Sequence, residues 1–156
     1  MIQRIQSLYL LLATVLTVVC MSNGIGYFIS KDGEVLGKLY NLFYTEISDV
    51  NTSTFFTPWA LFVIQLFVAT LTFLNIFMFK YRALQMRICS FCMILLVGWY
   101  AAYAVFAWII LGVLEADSFR VGIMASLPCV CIIFLYLAFR GILKDEKLVR
   151  SLDRLR

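Results

Sequence analysis

The sequence predicts an all-α membrane protein: four transmembrane helices with both termini cytoplasmic, a small extracytoplasmic hairpin loop and a cytoplasmic amphipathic tail helix. Three observations carry that reading. Of 156 residues, 63% are hydrophobic and only 14% charged, against roughly a quarter charged in soluble domains. The apolar residues gather in four segments, each long enough to cross hydrocarbon about 30 Å thick. The Lys and Arg between those segments fall almost wholly on one side of the membrane they imply. The length suits a single domain, residues 1–156, with little chain left for a soluble module.

The first span covers Ile5 to Ile29 and closes on the polar stretch from Ser30 to Thr57. A cleaved leader would place small residues before its cut. Here Thr17, Val18 and Val19 precede Cys20 and the apolar run continues past it, so the segment reads as a retained span. In the loop, Asp32-Gly33 suits a type I′ turn, and Tyr27, Phe28, Ile29 with Val35, Leu36, Leu39 on its flanks suggest a short hairpin. Asn51-Thr52-Ser53 matches a glycosylation acceptor and is read as ordinary polar loop.

The second span covers Pro58 to Phe79, with Thr57 as its cap, because the missing N–H of proline would be unpaired at a first helical position anyway. After Lys80, Arg82 and Arg87 the third span runs from Ile88 to Leu114. A turn from Glu115 to Arg120 leads to the fourth, Val121 to Phe139, where Gly122 and Ser126 form a small-residue pair and Pro128 should kink the helix near Met124. The tail, 140–156, is charged throughout.

Orientation follows from the basic residues. Arg4, Lys80, Arg82, Arg87, Arg140, Lys144, Lys147, Arg150, Arg154 and Arg156 flank one side, and only Lys31, Lys38 and Arg120 the other. Lys and Arg resist translocation, which puts the N-terminus, the middle loop and the tail inside.

The spans contain no Asp, Glu, Lys, Arg or His, the residues that mark proton relays and ion paths in membranes. Without His there is no bis-His haem site, and no cofactor is expected. Cys89-x-x-Cys92 has the spacing of a redox pair or half a zinc site, with Cys129-x-Cys131 as a second pair. At about 1.5 Å per residue, however, Cys92 and Cys131 fall at different depths, which disfavours a shared metal. Reactive thiols need an electropositive, partly exposed setting, and Cys89 beside Arg87 is the one that fits. The same depth count places Thr17, Cys20, Gln65, Tyr103 and Ser126 in one layer about 15–22 Å from the inner boundary, where polar side chains seek interhelical partners. Trp99, Tyr103 and Phe106 follow helical spacing as a packing face, and Trp108 is placed with them well inside the bilayer.

The two ends carry the most specific words. Met1-Ile2-Gln3-Arg4-Ile5-Gln6-Ser7 at the start, and Lys144-Asp145-Glu146-Lys147-Leu148-Val149-Arg150-Ser151-Leu152-Asp153-Arg154-Leu155-Arg156 at the finish, resemble a bacterial family of four-helix membrane proteins, domain-of-unknown-function family 4293. The resemblance implies a multi-pass protein of the bacterial inner membrane with no assigned activity, and transfers no catalytic residue. Physically, Leu148, Val149, Leu152 and Leu155 form an apolar stripe, flanked by Arg150, Asp153 and Arg154, which makes this tail a candidate docking element. The expectation is a non-catalytic subunit or scaffold whose partners are the lipid bilayer and a cytoplasmic or membrane protein, not nucleic acid. The alternatives are a thiol- or quinone-linked oxidoreductase using Cys89 and Cys92 and, third, a small transporter.

Overall fold

The computed structural model describes residues 2–31, 33–47, 52–55, 58–78, 81–114 and 116–153, with backbone alone for 2–4, 52 and 149–153. Asp32, Thr57, Phe79, Lys80, Glu115 and Arg154, each used in the sequence reading, lie outside the described residues. Four helices long and apolar enough to cross a membrane dominate the chain. They are α1 (Ile2–Ser22), α2 (Trp59–Phe77), α3 (Arg82–Val113) and α4 (Leu127–Asp153). Sequential neighbours pack around a ring, α1 on α2, α2 on α3, α3 on α4 and α4 back on α1, the arrangement that short connections impose on an up-down bundle.

The first helix stops at Ser22, well short of the expected Ile29. Ser22 Oγ and Asn23 Nδ2 donate to the carbonyls of Val18 and Val19, taking up acceptors that a helix end leaves unpaired. The residues after Gly24 are then free to extend. They form β1 (Gly26–Ile29), which pairs antiparallel with β2 (Val35–Leu39). The expected hairpin is therefore present, but its turn differs from a two-residue Asp-Gly connection. Gly33 N–H donates to Ser30 O and Ser30 N–H to Glu34 O, with Gly33 at φ 82°, so the turn takes in Ser30 and the glycine supplies the left-handed position beyond it.

Beyond the hairpin, the polar loop is sheet. Tyr44–Ile47 forms β3, Thr52–Phe55 forms β4, and the connection between α3 and α4 adds β5 (Ser118–Val121). The result is one antiparallel sheet in the order β4-β3-β2-β1-β5. Thr52 and Ser53 thus belong to a strand rather than a featureless loop. Four-residue strands carry too little alternation to be distinguished from polar loop by pattern alone. Phe28 and Phe119, partners across β1 and β5, hold their ring centroids 4.9 Å apart, and Tyr44 stacks on Phe55 across β3 and β4.

The sheet explains the length of α3. Its 32 residues span about 48 Å at ~1.5 Å per residue, far beyond hydrocarbon about 30 Å thick. At one end it begins at Arg82 rather than Ile88, so Arg82 and Arg87 ride on the helix instead of in a loop. At the other, Trp99, Tyr103 and Ile110 share a buried core with Ile25, Phe28, Leu39 and Tyr44, and Leu114 packs against it. A second core, nearer the chain termini, contains Leu10, Val68, Cys92, Leu96, Leu135 and Ile142. Trp108 lies in the last turns of α3 and is 82% exposed, and Trp59, at the start of α2, is 59% exposed. Both stand at the end of the bundle that carries the sheet.

Pro128 does not kink the fourth helix. A 3-10 turn, Ile123–Ser126, precedes α4, and Pro128 sits in the first turn of α4, a place where its missing N–H costs nothing. The hydroxyl of Tyr100 on α3 accepts from the Cys129 N–H and donates to the Ala125 carbonyl, so a neighbouring helix caps this one. Gly122 meets the backbone of Ile25, joining α4 to the sheet instead of forming a helix–helix contact with Ser126. At its far end α4 runs unbroken to Asp153, so the expected separate tail helix is a continuation of the fourth span.

Candidate functional site

Among the described residues, buried polar side chains gather under the sheet and near the termini. Under the sheet, Asn41 organises the contacts. Its Nδ2 donates to the Cys20 carbonyl at 2.8 Å, close to the end of α1, and its Oδ1 accepts from Trp99 Nε1 at 3.0 Å. Gln65 Nε2 of α2 lies 3.5 Å from Cys20 Sγ. Asn41, Gln65, Cys20 and Trp99 are fully buried, so amide, thiol and indole groups from a loop and three helices find partners in one another, as buried polar groups must, with Gln65 Oε1 the exception.

The expected polar layer is thereby divided. Cys20 and Gln65 meet directly. Thr17 lies next to them on α1 but directs its hydroxyl to the Ala13 carbonyl and to Cys131 Sγ, 3.6 Å away. Tyr103 donates to the Ile25 carbonyl at 2.8 Å and stacks on Trp99. Ser126 stays apart, exposed and bonded to the Ile123 carbonyl of its own turn. Asn41 and Trp99 complete the cluster, and neither was singled out for it. Nothing in Tyr40-Asn41-Leu42 distinguishes a buried asparagine from a loop one, whereas the indole of Trp99 on a packing face did require a partner for its N–H.

Near the termini, Asn75 of α2 and Gln85 of α3 each donate to the other's backbone carbonyl, at 3.3 and 3.2 Å, and Asn75 Nδ2 also lies 3.2 Å from Cys89 Sγ. Cys89 and Cys92 are both buried, which corrects the reading of Cys89 as partly exposed beside Arg87. Two residues apart on a helix, the two side chains point to opposite faces, and Arg87 takes the outer one. Cys129 is exposed while Cys131 is buried against Thr17. Among the described residues no three of Cys, Asp and Glu converge in the way a metal ion needs. Among the described residues, Gln65 Oε1 and Asn75 Oδ1 are buried acceptors without a donor, each a cost of about 1–3 kcal/mol unless water reaches it.

At the rim, Gln6 Nε2 of α1 donates to Asp145 Oδ2 of α4 at 2.8 Å, and Arg82 of α3 donates to the Asp145 carbonyl at 3.3 Å. Three helices are thus tied at one point. Gln6 lies in the opening sequence word and Asp145 in the closing one, so the two stretches that carry the resemblance are in contact.

A family model for a domain of unknown function, DUF4293, matches residues 2–155. The chain belongs to that family. Among curated proteins, none matches it. Of the residues the sequence suggested for docking, Leu148 is half exposed on α4. The side chains of Arg150, Leu152 and Asp153, and the whole of Arg154, lie outside the described residues. This DUF4293 chain is a four-helix integral membrane bundle with a sheet at one end, in which Gln6, Asn41, Asn75, Gln85 and Asp145 link separate elements.

Proposed function

We propose that this DUF4293 protein is a non-catalytic subunit or scaffold of the bacterial inner membrane, N-in and C-in, whose helical tail docks a cytoplasmic partner. The observation that carries the reading is the foot of α4. Asp145 is locked to Gln6 and Arg82, and from there the helix continues to Asp153, about 12 Å at ~1.5 Å per residue. A rigid base under a helix with an exposed Leu148 suits a helix-in-groove contact. The buried amide and thiol pairs support the same view, because polar groups engaged with one another stiffen a bundle.

Two measurements test this. In a gentle detergent pull-down, the wild-type chain should carry a stoichiometric partner that is lost in both Arg150→Glu/Arg154→Glu and Leu152→Asp, with membrane levels unchanged. An identical set of co-purifying proteins in all three would remove the docking role. For orientation, reporter cysteines at Lys31 and Ser118, on the sheet side, should react with an impermeant maleimide added outside intact cells, and one at Lys147 only after permeabilisation. The reverse pattern would invert the topology drawn from the basic residues.

A further inference from the structure

We infer that the cleft between α3 and α4, at the end of the bundle away from the sheet, binds one anionic phospholipid, its phosphate between Arg87 and Lys147 and an acyl chain along Phe91, Ile94 and Phe139. The cleft encloses about 670 Å³, within the roughly 300–1,000 Å³ of ordinary ligand sites. Its charged residues gather toward one end of the helix axis, with Ala83 and Met86 beside them. Arg87, Ser90, Glu146 and Lys147 line the mouth, while Phe91, Ile94 and Phe139 form the deeper wall. From Arg87 to Ile94 that wall climbs about 10 Å at ~1.5 Å per residue, a large part of one leaflet of a bilayer whose hydrocarbon is about 30 Å thick.

That polarity selects the occupant. Phe91 is 52% and Ile94 68% exposed on the outside of a bundle whose helices are built for hydrocarbon, so whatever fills the cleft reaches it from the bilayer. It must be apolar along most of its length and polar at one end. Glu146 offsets one of the two cations, and the remaining positive charge with the Ser90 hydroxyl favours an anionic headgroup over a zwitterionic one. A packed helix from another protein would not need two cations toward one end of its groove. Beside it a second, smaller groove of about 480 Å³ shares Phe139, Leu143 and Lys147 and adds Arg140 and Lys144. There Arg140 already lies over the Tyr136 ring, 5.9 Å from its centroid. Arg140 and Lys144 therefore supply a control, being cations of the same helix that do not line the proposed site.

The test uses the full chain, delipidated in mild detergent and titrated with phosphatidylglycerol or phosphatidylcholine of matched acyl chains, with bound lipid counted by native mass spectrometry. One phosphatidylglycerol should be retained per chain, and phosphatidylcholine should bind about tenfold more weakly. Arg87→Gln/Lys147→Gln should lower phosphatidylglycerol affinity by about tenfold, while Arg140→Gln/Lys144→Gln changes it by less than about twofold. Ile94→Trp, which fills the apolar wall without altering charge, should also weaken binding, and it keeps the question answerable should the double variant fail to fold. Equal retention of the two lipids, equal losses in the two double variants, or displacement by inorganic phosphate at the lipid's own concentration would each overturn the proposal.

Discussion

Asn41→Leu should destabilise the detergent-solubilised protein by about 3 kcal/mol, because it leaves two buried groups without a partner at about 1–3 kcal/mol each. Those groups are the Trp99 indole N–H and the Cys20 carbonyl, both held only by Asn41 among the described contacts. For a chain of this size the loss corresponds to a fall of roughly 6–12 °C in thermal midpoint. Leucine has as many side-chain heavy atoms as asparagine in the same branched arrangement, so it leaves no cavity and lost hydrogen bonding drives the change. Ser126→Ala provides the contrast. Ser126 is exposed and bonds within its own turn, so its removal should stay within about 0.5 kcal/mol. A layer drawn by depth along the helices holds Ser126 and omits Asn41, so the pair separates depth from contact. Equal midpoints for Asn41→Leu and the wild type would show that the loop does not seal the bundle in this way.

That contrast also marks how far the sequence could be read. Spans, connection lengths and helix count rest on long apolar runs without charge, a signal that survives any error of a few residues at the ends. The misplaced boundaries have local causes. Hydropathy rates Tyr27, Phe28 and Ile29 as membrane residues, but Ser22-Asn23-Gly24 ends the helix first, and β1 then buries Phe28 and Ile29 in the sheet core. Similarly, charges at Arg82 and Arg87 set the edge of the hydrocarbon and not the edge of the helix, so α3 begins earlier than its apolar run. The site was less legible for a topological reason. Gln65 and Cys20 share a layer because both lie on spans of known direction, whereas Asn41 reaches them only because β2 and β3 fold back over the end of α1, and β3 is too short to announce itself. The contact between Gln6 and Asp145 was hidden differently: both residues stood in conspicuous sequence words, but antiparallel packing of the first and last helices was needed to join them.

Gly37→Val should be the most damaging single change in the sheet, and it would show that the sheet is structurally joined to α3. Gly37 lies in β2, with β1 on one side and β3 on the other. A β-carbon added there would come to 2.5 Å from the Thr45 carbonyl oxygen, a backbone atom, and 3.3 Å from Leu114 Cδ1. A side chain such as Leu114 can turn away, but a paired strand cannot, so the substitution must push β2 and β3 apart. Overpacking of this kind costs about 1–3 kcal/mol in ordinary cores, and a collision with backbone falls at the upper end. The visible consequence should be local opening. Protease cleavage in the segment between β1 and β4 should accelerate, while the opposite core around Leu96 and Leu135 stays protected. Gly98→Ala is the matched control, because its new β-carbon meets nothing within 4 Å on the outer face of α3. It should be neutral or stabilising by up to about 1 kcal/mol through helix propensity. If Gly37→Val were cleaved no faster than Gly98→Ala, the strands would not be packed this closely, and α3 would lose the partner that accounts for its turns beyond the hydrocarbon.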